Sequence, residues 1–289
     1  MYKLPFHEIT KILHDWMLQQ PNVKEESITD WLLFMLSQRC KRIKHHAFSR
    51  HEESRNGADW EWWILTKRYA YRFRVQAKRL KTEGDNYASI GYSNNNGMQI
   101  ELFMNSAKED FAYPLYMLYS TDMHDGSKAS ENLSDPTICK MIDWCRTCVC
   151  GGFLSSAPMV YDKIFSNARS YTSAEYLLSI SIKMSSLDIV LASSNEQDLD
   201  ENIDYELGRL NKHYLHQIQH ENNSYRGDHG FRYDYNDNLT NRGGHSVPRW
   251  VLCIAGDGWN GVRLPEWFES EYKEQLPHVL GAAVIDLRR

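Results

Sequence analysis

Two strand-like runs joined by a short polar link constrain this chain more than any other stretch. The first is Ala58 to Leu65, ADWEWWIL, and the second is Tyr71 to Lys78, YRFRVQAK. Both are rich in β-branched or aromatic residues, and the second alternates polar and apolar positions. Lys67-Arg68 between them predicts a β-hairpin. A turn at Lys67-Arg68 pairs Asp59 with Gln76; a turn at Arg68-Tyr69 pairs Asp59 with Lys78 and Glu61 with Gln76. Either register places Asp59, Glu61, Gln76 and Lys78 on one face, because residues two apart on a strand point the same way. Trp60, Trp62, Phe73, Val75 and Ala77 then form an apolar face fit for a core.

The flanking sequence predicts what packs on this hairpin. Residues 3–20 read as an amphipathic helix, with Ile9, Ile12, Leu13, Trp16 and Met17 at helical spacing before Pro21. A second helix is expected over 25–39, with Ile28, Trp31, Leu32, Met35 and Leu36 as its stripe and acid in its first turn. Lys41 to Arg50 reads as a basic connector, and Asn56-Gly57 as a turn. After the hairpin come a Gly/Asn-rich loop, a helix over Met98 to Asp110, and a buried strand over Ala112 to Ser120. Further on the signals weaken. Residues 122–136 read as loop, 137–149 as a possible helix, and 172–194 as a mixture of helix and strand. Residues 196–206 are an acidic run, 221–247 a long ordered loop or insertion, and Val247 to Ala255 a buried strand.

The polar face of the hairpin suits phosphodiester hydrolysis. Asp59 offers a hard oxygen ligand to Mg²⁺ (or Mn²⁺), Gln76 a side-chain carbonyl, and Ala77 its backbone carbonyl. Lys78 can orient or deprotonate an attacking water, or stabilise charge growing on the phosphate. Glu61 is a further carboxylate on the same face. Arg72, Arg74, Arg79 and Gln99 are candidate nucleic-acid contacts, since a guanidinium fork can grip a phosphate. Tyr69 and Tyr71 are candidates for base stacking.

These residues resemble the PD-(D/E)XK restriction-endonuclease-like superfamily: Gly57-Ala58-Asp59 opens one strand, and Gln76-Ala77-Lys78 closes the next in a QxK variant similar to the Mrr-like branch. Glu25-Glu26-Ser27-Ile28-Thr29 is similar to the helix start that carries a further site glutamate in that superfamily, pointing to Glu25, with Glu26 as runner-up. The resemblance covers about residues 25–120. It implies an α/β fold with a mixed sheet in an αβββαβ core, here residues 1–125, followed by a mixed α/β C-terminal extension over 126–289. It also implies an Mg²⁺-dependent endonuclease acting on nucleic acid, with DNA the expected substrate. Homodimers are common among such enzymes, as are restriction or anti-phage roles. Gln76 departs from the usual acid, which leaves a bound metal short of charge unless Glu25 or Glu61 compensates.

Charge distribution agrees with a localised polyanion site. Net charge is −5, yet residues 39–81 hold 13 Lys or Arg against 4 Asp or Glu, a local balance of +9. That leaves 20 basic and 34 acidic residues, or −14, for the rest. Other clusters carry weaker signals. Cys139, Cys145, Cys148 and Cys150 lack two separated CxxC pairs and read as buried free thiols, and His213, His216 and His220 read as exposed histidines. No run of about 18 apolar residues predicts a membrane span. The first residues have no signal-peptide layout, so a cytoplasmic location is expected.

Overall fold

Aromatic strands flanked by strands with small or alternating side chains build one mixed sheet in the computed structural model. It describes residues 4–48, 60–80, 87–94, 97–121, 149–166, 177–178, 181–192, 196–209, 232–234, 247–256, 265–276 and 279–288. Helices α1 (Phe6–Gln19) and α2 (Glu25–Arg39) lead into β1 (Ile43–Ala47). The hairpin β2 (Trp60–Leu65) and β3 (Tyr69–Arg79) follows, then the short pair β4 (Ser93–Asn94) and β5 (Gly97–Met98). Next are α3 (Gln99–Glu109), β6 (Tyr113–Tyr119), β7 (Gly152–Ser156), α4 (Ala157–Ser166) and β8 (Ile182–Lys183). The chain continues through α5 (Leu187–Val190), α6 (Glu196–Arg209), β9 (Arg232–Asp234), α7 (Arg249–Ala255), α8 (Glu266–Gln275) and β10 (Gly281–Asp286).

The sheet runs β1-β10-β2-β3-β6-β7-β8, with β9 added to the start of β3. β10 is antiparallel to β1 and parallel to β2, and β3 is parallel to β6. The C-terminal strand therefore lies inside the sheet, and a division at 125/126 does not separate two structural units. Small residues let it enter: a Cβ on Gly281 would stand 2.5 Å from the Trp60 ring and 2.7 Å from the His46 carbonyl. Ala282 and Ala283 continue that flat strip between His46 and His45 on β1 and Glu61 and Trp62 on β2.

Both faces of the central strands are buried, as continuous apolar runs such as WEWWIL require. On one face Trp60, Trp62, Ile64, Tyr71, Phe73, Val75 and Ala77 join the core cluster that α1 and α2 supply from their own buried residues. On the other, Trp63, Leu65 and Ala70 pack with Trp250, Phe268 and Tyr272 of α7 and α8. The Phe48 and Tyr272 rings stack there at 3.9 Å. The face expected to be open and polar is thus partly roofed by C-terminal helices.

Several expectations change. Val247 to Ala255 contains helix α7 rather than a strand: Trp250, Val251, Cys253 and Ile254 are buried at helical spacing, and Gly256 ends the helix at φ 104°. A short apolar run carries no period strong enough to tell the two apart. Part of the basic connector is β1, whose partner lies more than two hundred residues away in sequence. The α1 stripe is Phe6, Ile9, Thr10, Leu13, His14 and Met17; Ile12 is exposed, while Trp16 stacks on Trp31 at 5.2 Å. Within 221–247, only β9 and Val247 are described. Residues 137–148, including Cys139, Cys145 and Cys148, and the three histidines at 213, 216 and 220 lie outside the described residues. Cys150 and Cys253 are buried free thiols. Among the described residues no helix is long and apolar enough to cross a membrane.

Helix α1 has no side-chain cap of its own. Its Phe6 and His7 amides instead donate to the two carboxylate oxygens of Asp188, at 2.9 and 2.8 Å. We predict that Asp188→Ala lowers the stability measured by urea unfolding by about 0.5–2 kcal/mol, the usual range for a lost N-terminal cap.

His45 and His46 supply a pH dependence. Burial lowers His45 below 6.5 despite the opposing charge of Asp30, and burial with the neighbouring His45 lowers His46. Their neutral forms are favoured in the folded chain. Stability from them is fully present above 6.5 and is lost as pH falls toward their lower folded values. The urea midpoint should drop between about pH 7.5 and pH 5.5, and a His45→Gln, His46→Gln double variant should flatten that drop.

Candidate active site

The hairpin adopts the first of the two possible registers. Trp60 pairs with Val75, Glu61 with Arg74, and Leu65 with Ala70, so Lys67-Arg68 forms the turn. Thr66 closes it: its amide donates to the Tyr69 carbonyl at 2.8 Å, and the Tyr69 amide donates to Thr66 Oγ1 at 3.0 Å. Asp59 itself lies outside the described residues.

Glu61 is not a ligand facing a cleft. It is 0% exposed and enclosed by donors. Its Oε1 accepts from Trp63 Nε1 at 2.9 Å and Arg72 Nε at 2.7 Å. Its Oε2 accepts from Arg72 Nη2 at 3.1 Å and Arg74 Nη2 at 3.0 Å. Burial would raise this carboxyl, but the two guanidinium groups outweigh it and hold Glu61 below its ordinary value. The same network removes Arg72 and Arg74 from the expected nucleic-acid contacts. Arg72 Nη1 donates to the Asp110 carbonyl at 2.5 Å. Arg74 Nη1 reaches Ser106 Oγ at 2.9 Å and Asp110 Oδ2 at 2.8 Å. These bonds tie the hairpin to the last turn of α3 and the residue that follows it. Tyr71 is likewise buried, with its hydroxyl donating to Asp200 Oδ1 at 3.3 Å, and Tyr69 sits beside the hairpin turn.

Farther along the same face the described residues offer a buried lysine no opposite charge. Gln76 and Lys78 are buried, and Lys78 is only 7% exposed. Its Nζ donates to Gln99 Oε1 at 3.5 Å, at the long limit for a hydrogen bond. No carboxylate of the described residues lies within ion-pairing distance of it. Removing an ammonium from water without a counter-charge costs several kcal/mol. Gln99, the first residue of α3, is thus brought to the site as expected, but its partner here is the lysine.

Glu25 arrives from the other side of the sheet. Its Oε1 accepts the Arg79 backbone amide at 2.8 Å, which places a carboxylate at the end of β3. Glu26 is exposed. Backbone groups alternate between the two edges of a strand. The Leu80 amide donates toward β6, to the Tyr119 carbonyl at 2.9 Å. The Arg79 amide therefore leaves on the β2 side, and the Ala77 carbonyl, two residues back, aims to that same edge. Glu25 is thus held at the edge of β3 toward which the Ala77 carbonyl points, and both are hard oxygen donors of the kind Mg²⁺ prefers. Among the described residues, no three or more His, Cys, Asp or Glu side chains form a metal-holding group. Arg79, expected as a substrate contact, turns its guanidinium to the carbonyls of Pro21 and Val23.

The sequence reading missed two supports of this arrangement. Thr29 Oγ1 and the Tyr119 hydroxyl are 2.9 Å apart, fixing the first turn of α2 on β6. Asp110 anchors both buried arginines. Neither has a local signal, since each partner comes from a different part of the chain. Removing the Glu61 charge tests the network directly. Glu61→Gln should cost about 3–5 kcal/mol in urea unfolding, because it leaves buried guanidinium groups undercompensated. A solvent-facing ligand would lose its charge at almost no cost in stability.

Residues 4–221 match a family of unknown function, DUF6615, and the chain belongs to that family. No curated protein and no solved structure matches the chain.

Proposed function

We propose that this protein is a metal-dependent nuclease of the PD-(D/E)XK type that hydrolyses phosphodiester bonds in nucleic acid, with DNA as the expected substrate. The observation that carries this reading is the buried Lys78 ammonium, which meets no counter-charge among the described residues and lies one residue from the Arg79 amide that fixes Glu25. A fold gains nothing in stability from that separation. An anionic substrate supplies the missing charge. Element order supports the reading too: α2, β1, β2, β3, α3 and β6 follow the αβββαβ sequence that the resemblance implies, with β10 interposed between β1 and β2.

Glu25, Asp59, the Gln76 side-chain oxygen and the Ala77 carbonyl are the groups that would hold Mg²⁺ or Mn²⁺. Such an ion polarises a phosphoryl oxygen and acidifies bound water. The chain's own contribution is positional and electrostatic. Lys78 donates to the phosphate or to the attacking water and stabilises the negative charge that grows in the transition state. Gln99 keeps the lysine side chain in place. Glu61 stays out of the chemistry and keeps the hairpin in register. A restriction or anti-phage role belongs to this proposal as its biological setting. Gln76, standing where the resemblance expects an acid, favours a second reading: a catalytically silent nucleic-acid-binding or interaction module on the same fold.

Supercoiled plasmid, single-stranded circular DNA and RNA incubated with Mg²⁺, Mn²⁺ or EDTA separate the two. The nuclease reading predicts metal-dependent cleavage that falls about 10²–10³-fold in Lys78→Ala, the scale of one lost transition-state donor. Asp59→Ala and Glu25→Ala should lose cleavage as well. Salt-sensitive binding in EDTA, with no cleavage under any metal, would establish the silent module instead.

A further inference from the structure

Arg79 follows the lysine of the site, and its position suggests a phosphate contact. Its bonds say otherwise. One guanidinium nitrogen donates to the Pro21 carbonyl at 2.6 Å and another to the Val23 carbonyl, both in the link between α1 and α2. The planar fork is filled by backbone oxygens, which leaves its best phosphate-gripping geometry already used. The same residue's backbone amide holds Glu25 Oε1 at 2.8 Å. Arg79 therefore grips both the link that leads into α2 and the first carboxylate of that helix.

Helix α2 needs such a grip. Its preceding residue, Lys24, makes no side-chain cap. On β6, Tyr119 is the register partner of Arg79, and its hydroxyl lies 2.9 Å from Thr29 Oγ1. Thr29 Oγ1 in turn donates to the Glu25 carbonyl at 3.1 Å. Two neighbouring positions on adjacent strands thus clamp one helical turn from two sides. Tyr119 fixes the turn against the sheet, and Arg79 fixes where the chain enters it.

From this geometry we infer that Arg79 is a positioning residue, one that sets the Glu25 carboxylate at the edge of β3 by clamping residues 21 and 23 rather than by touching substrate. The inference rests on the nuclease reading, in which Glu25 helps hold the metal. A group that orients a metal ligand typically changes metal affinity by 10–100-fold when removed. A phosphate contact instead changes nucleic-acid affinity and its salt dependence.

Titration of Mn²⁺ into the full-length protein by calorimetry, without nucleic acid, is the primary readout. Arg79→Met and Arg79→Lys should both weaken Mn²⁺ binding by about tenfold or more, since a lysine retains the charge but lacks the planar fork whose two nitrogens reach the Pro21 and Val23 carbonyls separately. In a Glu25→Gln background the same changes should add no further loss, because Arg79 acts through that carboxylate. Binding of a fluorescent DNA duplex in EDTA across a salt series should keep its slope. Thermal unfolding of Arg79→Lys verifies that the fold is retained. Unchanged Mn²⁺ affinity, with a salt slope reduced by about one, overturns the inference and makes Arg79 a phosphate contact. A further loss of Mn²⁺ affinity in the Glu25→Gln background also overturns it. Wild-type protein that takes up no Mn²⁺ removes the nuclease reading itself, and this inference with it.

Discussion

A single carboxylate, Glu61, sits between two arginines at the centre of this structure, and the geometry of the site depends on how that charge is satisfied. Arg72 and Arg74 come from the opposing strand of the hairpin, so the bonds they make to Glu61 lock β2 to β3 in one register. A one-residue slip would break all of them and turn every side chain to the wrong face. The same two guanidinium groups continue to Asp110 and Ser106, at the end of α3. The position of α3 therefore follows from the hairpin, and the start of that helix brings Gln99 to Lys78. What looked like a row of functional charges divides into a structural half closed by ion pairs and a strand end where Lys78 meets no carboxylate among the described residues.

That division alters the meaning of the basic stretch. Part of the excess of +9 over residues 39–81 is used inside the protein. Arg72 and Arg74 are neutralised inside the protein, and Arg79 is bound to backbone carbonyls. Lys41, Lys67 and Arg68 are exposed, but Lys67 and Arg68 mark the hairpin turn, at the far end of β3 from Lys78. Long-range steering by a broad basic patch has less support than the linear sequence suggested.

The local parts of this fold were legible because their patterns are local. Alternation in YRFRVQAK and the apolar run WEWWIL marked the hairpin, and the periodic stripe after Glu25 marked α2. The faces were legible as well: Trp60, Trp62, Phe73, Val75 and Ala77 do share the core face. Long-range partners were not legible. Nothing around Gly281 announces a strand that enters between β1 and β2, although its Gly-Ala-Ala start is what allows the Trp60 ring to lie against it. Nor does the sequence distinguish Glu61, enclosed by arginines, from Glu25, held by one backbone amide at a strand edge. Charge and spacing nominate both, and burial tells them apart: Glu61 is fully enclosed, whereas Glu25 is only partly buried.

Under the proposed function, Glu25 and the Ala77 carbonyl share an edge of β3 that takes a divalent cation beside Lys78. A crystal structure grown with Mn²⁺, read from the anomalous signal of manganese, addresses this most directly. The expected result is a peak within coordination distance, about 2.0–2.3 Å, of a Glu25 carboxylate oxygen and the Ala77 carbonyl. Lys78 is expected to remain without a carboxylate partner. A peak elsewhere in the chain, or Lys78 closed in an ion pair with no metal beside it, would contradict the account.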